Sequence, residues 1–176
     1  MNKRNCVLDA NIVITLAFLQ FGKGSAKAIQ VRQMWERMSR PVFIDGTWVT
    51  LAPVVSHHIL NMMRTVCRRG GLTNDETVRA IAWLIREVKS HGGTIDATAE
   101  NYRELATTCE RRVANGSTDT EDEAIIACVD RHQAVLITDD GALGSYADAL
   151  RIPAFSAKSC AAKTFNAGSR ALQAAA

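Results

Sequence analysis

Two apolar runs in this chain break off into aspartates. Cys6-Val7-Leu8 ends on Asp9, and Ala134-Val135-Leu136-Ile137 passes through Thr138 into Asp139 and Asp140. Aspartate is depleted in strands, and a buried carboxylate is costly unless paired, so either a loop begins at each place or charge is wanted at a strand end. A third cluster, Asp119-Thr120-Glu121-Asp122-Glu123, puts four acids in five residues. Acids favour a helix N-terminus, and Thr120 with Glu123 has the spacing of a capping box. Helical phase separates the members: Asp122 shares a face with Ile125, Ile126 and Val129, while Glu121 and Glu123 flank it. Asp122 is therefore the acid expected to aim at the sheet edge. Asp9, Asp122 and Asp140 gathered in one crevice would repel unless a cation neutralised them. With no His or Cys at ligand spacing, such hard oxygen donors suit Mg²⁺ or Mn²⁺. These ions polarise phosphoryl oxygens, generate hydroxide from water and stabilise a leaving alkoxide, so phosphodiester hydrolysis fits best.

The elements that must position these groups are short. Apolar strands of this length suggest a parallel sheet covered on both faces. A helical stripe runs through Ala28, Val31, Trp35 and Met38, and Pro41 to Val49 is extended around an exposed Asp45-Gly46 turn. Ser56 caps a helix carrying Ile59, Leu60, Met63, Val66 and Cys67 inward, stopped by Gly70-Gly71. Thr73 and Glu76 form a capping box for the next helix. A short strand at 94–97, a helix over 99–113 with Tyr102, Leu105 and Cys109 inward, and a helix from Thr120 follow. Strand 134–138, helix 142–150 and strand 152–155 complete the pattern. Helices interleaved with buried strands predict a three-layer α/β/α sandwich on a short, mostly parallel sheet. The expected organisation is one domain over residues 1–160, with a frayed tail over 161–176.

Composition narrows the class. With 47% hydrophobic and 22% charged residues the chain reads as an ordinary globular protein, and its net charge of +3 permits a nucleic-acid partner without requiring one. No apolar stretch is long enough to span a bilayer, and Met1-Asn2-Lys3-Arg4-Asn5 lacks a signal-peptide core, so a cytoplasmic location is expected. The five cysteines are odd in number and scattered, which argues for free, buried thiols and against a zinc site.

Asp9 within VLDANIV, Asp122 at the start of DEAIIA and Asp140 within LITDD together resemble the acidic motifs of the PIN-domain family. The eighteen-residue interval between Asp122 and Asp140 matches the family's spacing, and the resemblance extends from residue 5 to about 158. It implies a metal-dependent ribonuclease fold, often the toxin half of a bacterial toxin–antitoxin pair. RNA (single-stranded or structured), an antitoxin and a second copy of the chain are the partners it brings into view. It also implies supporting roles for Asn11, holding Asp9 or a metal-bound water, and for Thr138, orienting Asp140. Asp139 is either a supporting acid or a turn residue. The family's glutamate falls on Met62 here; His58 lies one turn earlier, and Asp45 could contribute only from a loop. Methionine is a poor ligand for a hard cation.

Plainer readings stand beside these. His57 and His58 face different directions and suit solvent or cap contacts better than a metal. Trp35, Trp48 and Trp83 suit the core or a groove wall. Arg64, Arg68, Arg69, Lys23, Lys27 and Arg32 make either a basic rim for a phosphate backbone or a solvated helix face. Two functions follow: a Mg²⁺- or Mn²⁺-dependent endoribonuclease, or a catalytically weakened PIN-like module that binds RNA or a protein. A phosphatase on a similar sheet would want a nucleophile motif at the first strand, and none is present.

Overall fold

A computed structural model describes residues 2–24, 26–112 and 120–162. Strand β1 (Asn2–Leu8) is its axis, and Cys6, Val7 and Leu8 are fully buried. Helix α1 (Ala10–Leu19) follows at once, capped by Asp9, whose side chain accepts from the Ala10 amide. It buries Ile12, Val13, Leu16 and Ala17. No helix is expected there from the sequence, because only Asn11 and Thr15 break the apolar run ANIVITLAFL and so short a run carries a weak phase.

Helix α2 (Ala26–Glu36) leads to β2 (Pro41–Ile44), which turns back antiparallel onto β3 (Thr47–Ser56). The hairpin turn is Asp45-Gly46 as expected, with φ of 50° and 77°. A two-residue turn with both φ positive has the twist that joins antiparallel strands. Arg4 pins the turn through a 2.7 Å ion pair with Asp45. The expected extended stretch stopped at Val49, but β3 runs on to Ser56 through Pro53. Proline argues against a strand interior because it cannot donate to the ladder. Here it sits between Thr50, where pairing with β2 ends, and Val54, where pairing with β4 starts. Gly93 lies so close to this bend that a Cβ would stand 2.0 Å from the Pro53 carbonyl oxygen, so only glycine fits.

Helix α3 (His57–Arg69) is capped by Ser56, and α4 (Asn74–Ser90) by the expected Thr73–Glu76 box. Strand β4 (Thr94–Asp96), α5 (Tyr102–Arg112), α6 (Thr120–His132), β5 (Val135–Ile137), α7 (Gly141–Ala149) and β6 (Ala154–Phe155) follow. Residues 157–162 are helical. The expected Cys109 side chain and residues 163–176 of the expected tail lie outside what is described. Tyr102 was expected inward and is instead 48% exposed, while Leu105 is buried.

The strands order as β2-β3-β1-β5-β6, with β4 also on β3, and every pairing except β2–β3 is parallel. Helices α1 to α4 pack among themselves, while α5 packs on α6 and α6 on β1. Right-handed crossovers require this division: the path runs outward from β1 through β3 to β4, then returns across to β5. The protein is thus the expected α/β sandwich, and the direction of winding reverses between β1 and β5. In open parallel sheets, ligands bind at that reversal, beyond the carboxyl ends of the two strands.

Candidate functional site

Asp9 follows β1 and Thr138-Asp139-Asp140 follows β5, so both groups stand at the reversal point. The Asp9 amide still bonds the Ile137 carbonyl at 3.0 Å, extending the parallel ladder into the site. Thr138, itself buried, links the two aspartates. Its hydroxyl donates to Asp9 Oδ2 at 2.6 Å and accepts from the Asp140 amide at 2.9 Å. Asp140 in turn caps α7, its Oδ1 accepting from the amides of Ala142 (2.7 Å) and Leu143 (3.1 Å). Both aspartates therefore cap helices on opposite layers, and one threonine fixes their separation.

Capping alone does not account for Asp9, which is only 5% exposed. Burial pushes its carboxyl up; hydrogen bonds from Thr138 and Ala10 oppose this, and the charges of Asp140 and Asp139 push it further up. Nearby, Asn11 Oδ1 is buried without a hydrogen-bond partner among the described residues. Asp139 turns the other way, accepting the Ala157 amide at 2.9 Å and so holding the last helix. Thr138, Asp139 and Asp140 line an open cleft of about 700 Å³ along α7 and β6.

On α6, Asp122 is half-buried in the first turn, whereas Glu123 is 1% exposed. Glu123 Oε2 accepts the Tyr146 hydroxyl of α7 at 2.7 Å, tying α6 to the helix that Asp140 caps. Sequence phase ranked Asp122 first because Ile125, Ile126 and Val129 are buried, as they are here. The burial of Glu123 depends on a tyrosine 23 residues away, which the local pattern does not contain. Asp119 lies outside the described residues.

Met62 is half-buried against the core, at the edge of the stripe formed by Ile59, Met63 and Cys67. His57 is exposed, and His58 is buried with its Nδ1 hydrogen-bonded to the Tyr102 hydroxyl. Arg64, Arg68 and Arg69 are exposed. Since α3 starts at the crevice, they lie about 10 to 20 Å further along it at 1.5 Å per residue. Their exposure is what both a solvated face and a basic rim require, and Lys23 is engaged with Gly71 and Glu76. Trp35 is buried and Trp83 packs on the core, but Trp48 is 40% exposed and contacts Phe43 across the hairpin.

One grouping contradicts the expectation that no His or Cys stands at ligand spacing. Asp96, Cys128 and His132 bring a carboxylate, a thiol and an imidazole within 4.8 Å. Cys128 and His132 are four apart on α6, a spacing legible in the sequence; Asp96 comes from the end of β4. A cation already occupies this carboxylate: Arg131 donates to Asp96 Oδ2 from Nη2 (2.7 Å) and Nε (3.0 Å), and reaches Glu100 at 2.6 Å. Burial first, then the Asp96 charge, pushes the Cys128 thiol up to about 12, so it is no thiolate at neutral pH. The grouping is an ion-pair knot joining β4 and α6.

Burial works against the Asp96 carboxylate, yet hydrogen bonds from Thr98 and Arg131 hold it well below the usual carboxylate range. A lowered carboxyl stabilises the fold above its ordinary value of 3.8 and loses that contribution as pH falls. Arg131→Met should cost about 2 kcal/mol at neutral pH, less than for a fully buried pair because part of the guanidinium meets water. The gap between wild type and variant in chemical denaturation should close as the pH is lowered past about 4. A gap independent of pH would assign the loss to packing instead.

The fold and site define an α/β sandwich with paired carboxylates at its winding reversal. No family model and no curated protein matches the chain. Among solved structures it is similar to VapBC-1 from nontypeable Haemophilus influenzae, with a TM-score of 0.56, 17% identity, and coverage of 87% of this chain and 98% of that one. PAE2754 from Pyrobaculum aerophilum aligns with a TM-score of 0.54 at 11% identity, over 93% of this chain and 96% of that one. At such identity the likeness speaks for the fold, and it fits the PIN-like architecture that the motifs suggest.

Proposed function

We propose that the protein is a divalent-metal-dependent endoribonuclease of the PIN type, acting as the toxin of a toxin–antitoxin pair. The observation that carries this reading is the Asp9–Thr138–Asp140 arrangement. Two carboxylates are held at the reversal of the sheet, and the charge of one pushes the other up. The donor set fits a hard cation: carboxylate oxygens, an orphaned amide oxygen on Asn11, and no thiolate or imidazole among them. Asp9, Asp140 and Asp122 would hold Mg²⁺ or Mn²⁺, which when bound supplies Lewis-acid polarisation of the phosphodiester and an activated water. Thr138 keeps the two aspartates in register, Asn11 offers its oxygen to a water or to substrate, and Asp139 steadies the loop by capping the last helix. Among the described residues, no helix is long and apolar enough to cross a membrane.

Met62 favours a second reading, a PIN-like module that binds RNA or a protein partner without cutting. The resemblance expects a glutamate at this position, and a thioether packed against the core offers no oxygen to a hard cation.

The first test is thermal. A ligand that binds only the folded state must stabilise it. Mg²⁺ or Mn²⁺ at about a hundred times its Kd should add about 2.7 kcal/mol of stability, an upward shift of several degrees. Asp140→Asn should abolish the shift. Identical metal-titrated melts for wild type and variant would count against the metal site.

A further inference from the structure

The sheet ends on an uncovered edge. Strand β5 is buried throughout, whereas residues 152–156, which contain β6, are all partly exposed. The Leu136 amide bonds the Pro153 carbonyl at 2.9 Å, and the Thr138 amide bonds the Phe155 carbonyl at 3.0 Å. Ala154, the ladder partner of Leu136, therefore turns its own N–H and C=O away from β5. Among the described residues no further strand pairs with β6. Unpaired edge groups of this kind are a template for another extended chain.

A groove runs along this edge. Gly141, Gly144, Ser145 and Asp148, spaced three and four apart on one face of α7, line it together with residues 152–156. A Cβ on Gly141 would meet nothing within 4 Å, and one on Gly144 only the Thr138 methyl at 3.9 Å, so the space beside α7 is open. Charge decides what fits there. Asp45, Asp139, Asp140 and Asp148 line the groove, and no Lys, Arg or His does. Of the four, only Asp45 has a cationic partner among the described residues, Arg4. A phosphate backbone would meet like charge in this groove, whereas a basic chain would be attracted. A metal held by Asp140 would offset this at one end only, because Asp148 lies about 12 Å further along α7. Phe43, which is 48% exposed, Ile152 and Phe155 add apolar surface to the same lining.

We infer that this groove is a docking site for an extended, basic segment of a partner protein, which adds to β6 as a strand. The Ala154 N–H and C=O pair with its backbone, and Asp148 and Asp139 attract its cations. Phe43, Ile152 and Phe155 take its apolar side chains. In strand addition the main-chain bonds give affinity and the contacts of alternate side chains give specificity, so the fitting segment mixes basic with apolar residues. The inference goes beyond the nuclease reading and holds whether or not the chain cuts RNA.

Fluorescence anisotropy on the full chain tests this with labelled peptides of about eight residues, made of Arg-Val, Glu-Val or Arg-Pro repeats. The Arg-Val peptide should bind about tenfold or more tightly than either control. The Glu-Val peptide reverses the charge, and the Arg-Pro peptide keeps it but has half its ladder donors removed. Asp148→Lys should weaken the Arg-Val complex about tenfold and leave RNA cleavage unchanged, since Asp148 lies outside the candidate metal set. Ala154→Pro, which removes the edge donor, should weaken it about fivefold, the worth of one hydrogen bond. Should Ala154→Pro misfold by circular dichroism, Ser145→Trp, which fills the groove from an exposed position on α7, takes its place. Equal binding of the Arg-Val peptide and either control, or binding that neither variant weakens, overturns the inference. So does a single-stranded RNA that displaces the Arg-Val peptide and is itself weakened by Asp148→Lys, which would give the groove to RNA. Absence of peptide binding overturns the docking site alone, because RNA cleavage measured beside it tests the nuclease reading separately.

Discussion

Replacing Asp9 with asparagine is expected to cut divalent-dependent RNA cleavage at least a hundredfold while leaving the protein folded. Asparagine is as good an N-cap as aspartate, and its side-chain oxygen can still accept from Thr138 or from the Ala10 amide, so the local geometry survives. The charge does not. A metal-assisted step draws several kcal/mol of transition-state stabilisation from the ion, and about 1.4 kcal/mol is worth a decade in rate. Losing a central carboxylate ligand therefore removes two decades or more. The same substitution should act oppositely on the metal-free fold. Burial first, and then the charges of Asp140 and Asp139, raises the Asp9 carboxyl above its ordinary 3.8. The folded state thus holds this proton more tightly than the unfolded chain does, and wild-type stability falls as pH rises from about 4 through the raised value. Asp9→Asn should lack that fall and match or slightly exceed wild type at neutral pH without metal. Cleavage of a mixed-sequence RNA, set beside denaturation in EDTA across that range, measures both effects. Unchanged cleavage would remove Asp9 from the chemistry. A drop of several kcal/mol in the metal-free protein would mark it as a structural partner.

The sequence made the strand-end aspartates legible because they combine two local signals, an apolar run and an acid that ends it. Thr138 was legible as a supporter through resemblance, but its physical role, a hydroxyl shared between Asp9 and the Asp140 amide, joins residues 129 apart and has no local signature. The helices with a polar face and a cap, α3 and α4, were readable from Ser56 and Thr73. Helix α1 was not, since only Asn11 and Thr15 break its apolar run and two polar residues set a weak phase. Strand β3 was cut short because Pro53 argues against a strand, and only the staggered partners β2 and β4 make it tolerable. The acidic turn of α6 shows the limit of helical phase. It ordered Ile125, Ile126 and Val129 correctly, yet Glu123 is sequestered by Tyr146 from another helix. Likewise Cys128 and His132 were readable as a four-residue pair, but Asp96 and the guanidinium that occupies it come together only in three dimensions.

Met62→Glu is expected to separate an active nuclease from a binding module. Met62 lies three residues after Ile59, at the edge of the buried stripe, and is half-buried rather than enclosed. A glutamate there keeps its methylenes on the core and can carry its carboxylate outward, so the substitution should cost only about 1 kcal/mol of stability. What it adds is a hard oxygen donor from α3, the helix that begins level with Asp9. If the carboxylates of β1, α6 and β5 share a metal, a further one should tighten divalent binding and raise cleavage of single-stranded RNA tenfold or more, at about 1.4 kcal/mol per decade. The double variant Met62→Glu/Asp9→Asn controls for charge alone: it keeps the new glutamate, loses the strand-end carboxylate, and should fall back to or below wild type. Strong wild-type cleavage with no gain from glutamate would mean that another residue already fills this position. No cleavage by any of the three proteins, with RNA or partner binding retained, would assign the chain to the non-catalytic reading, because a carboxylate would then have been added on α3 without effect.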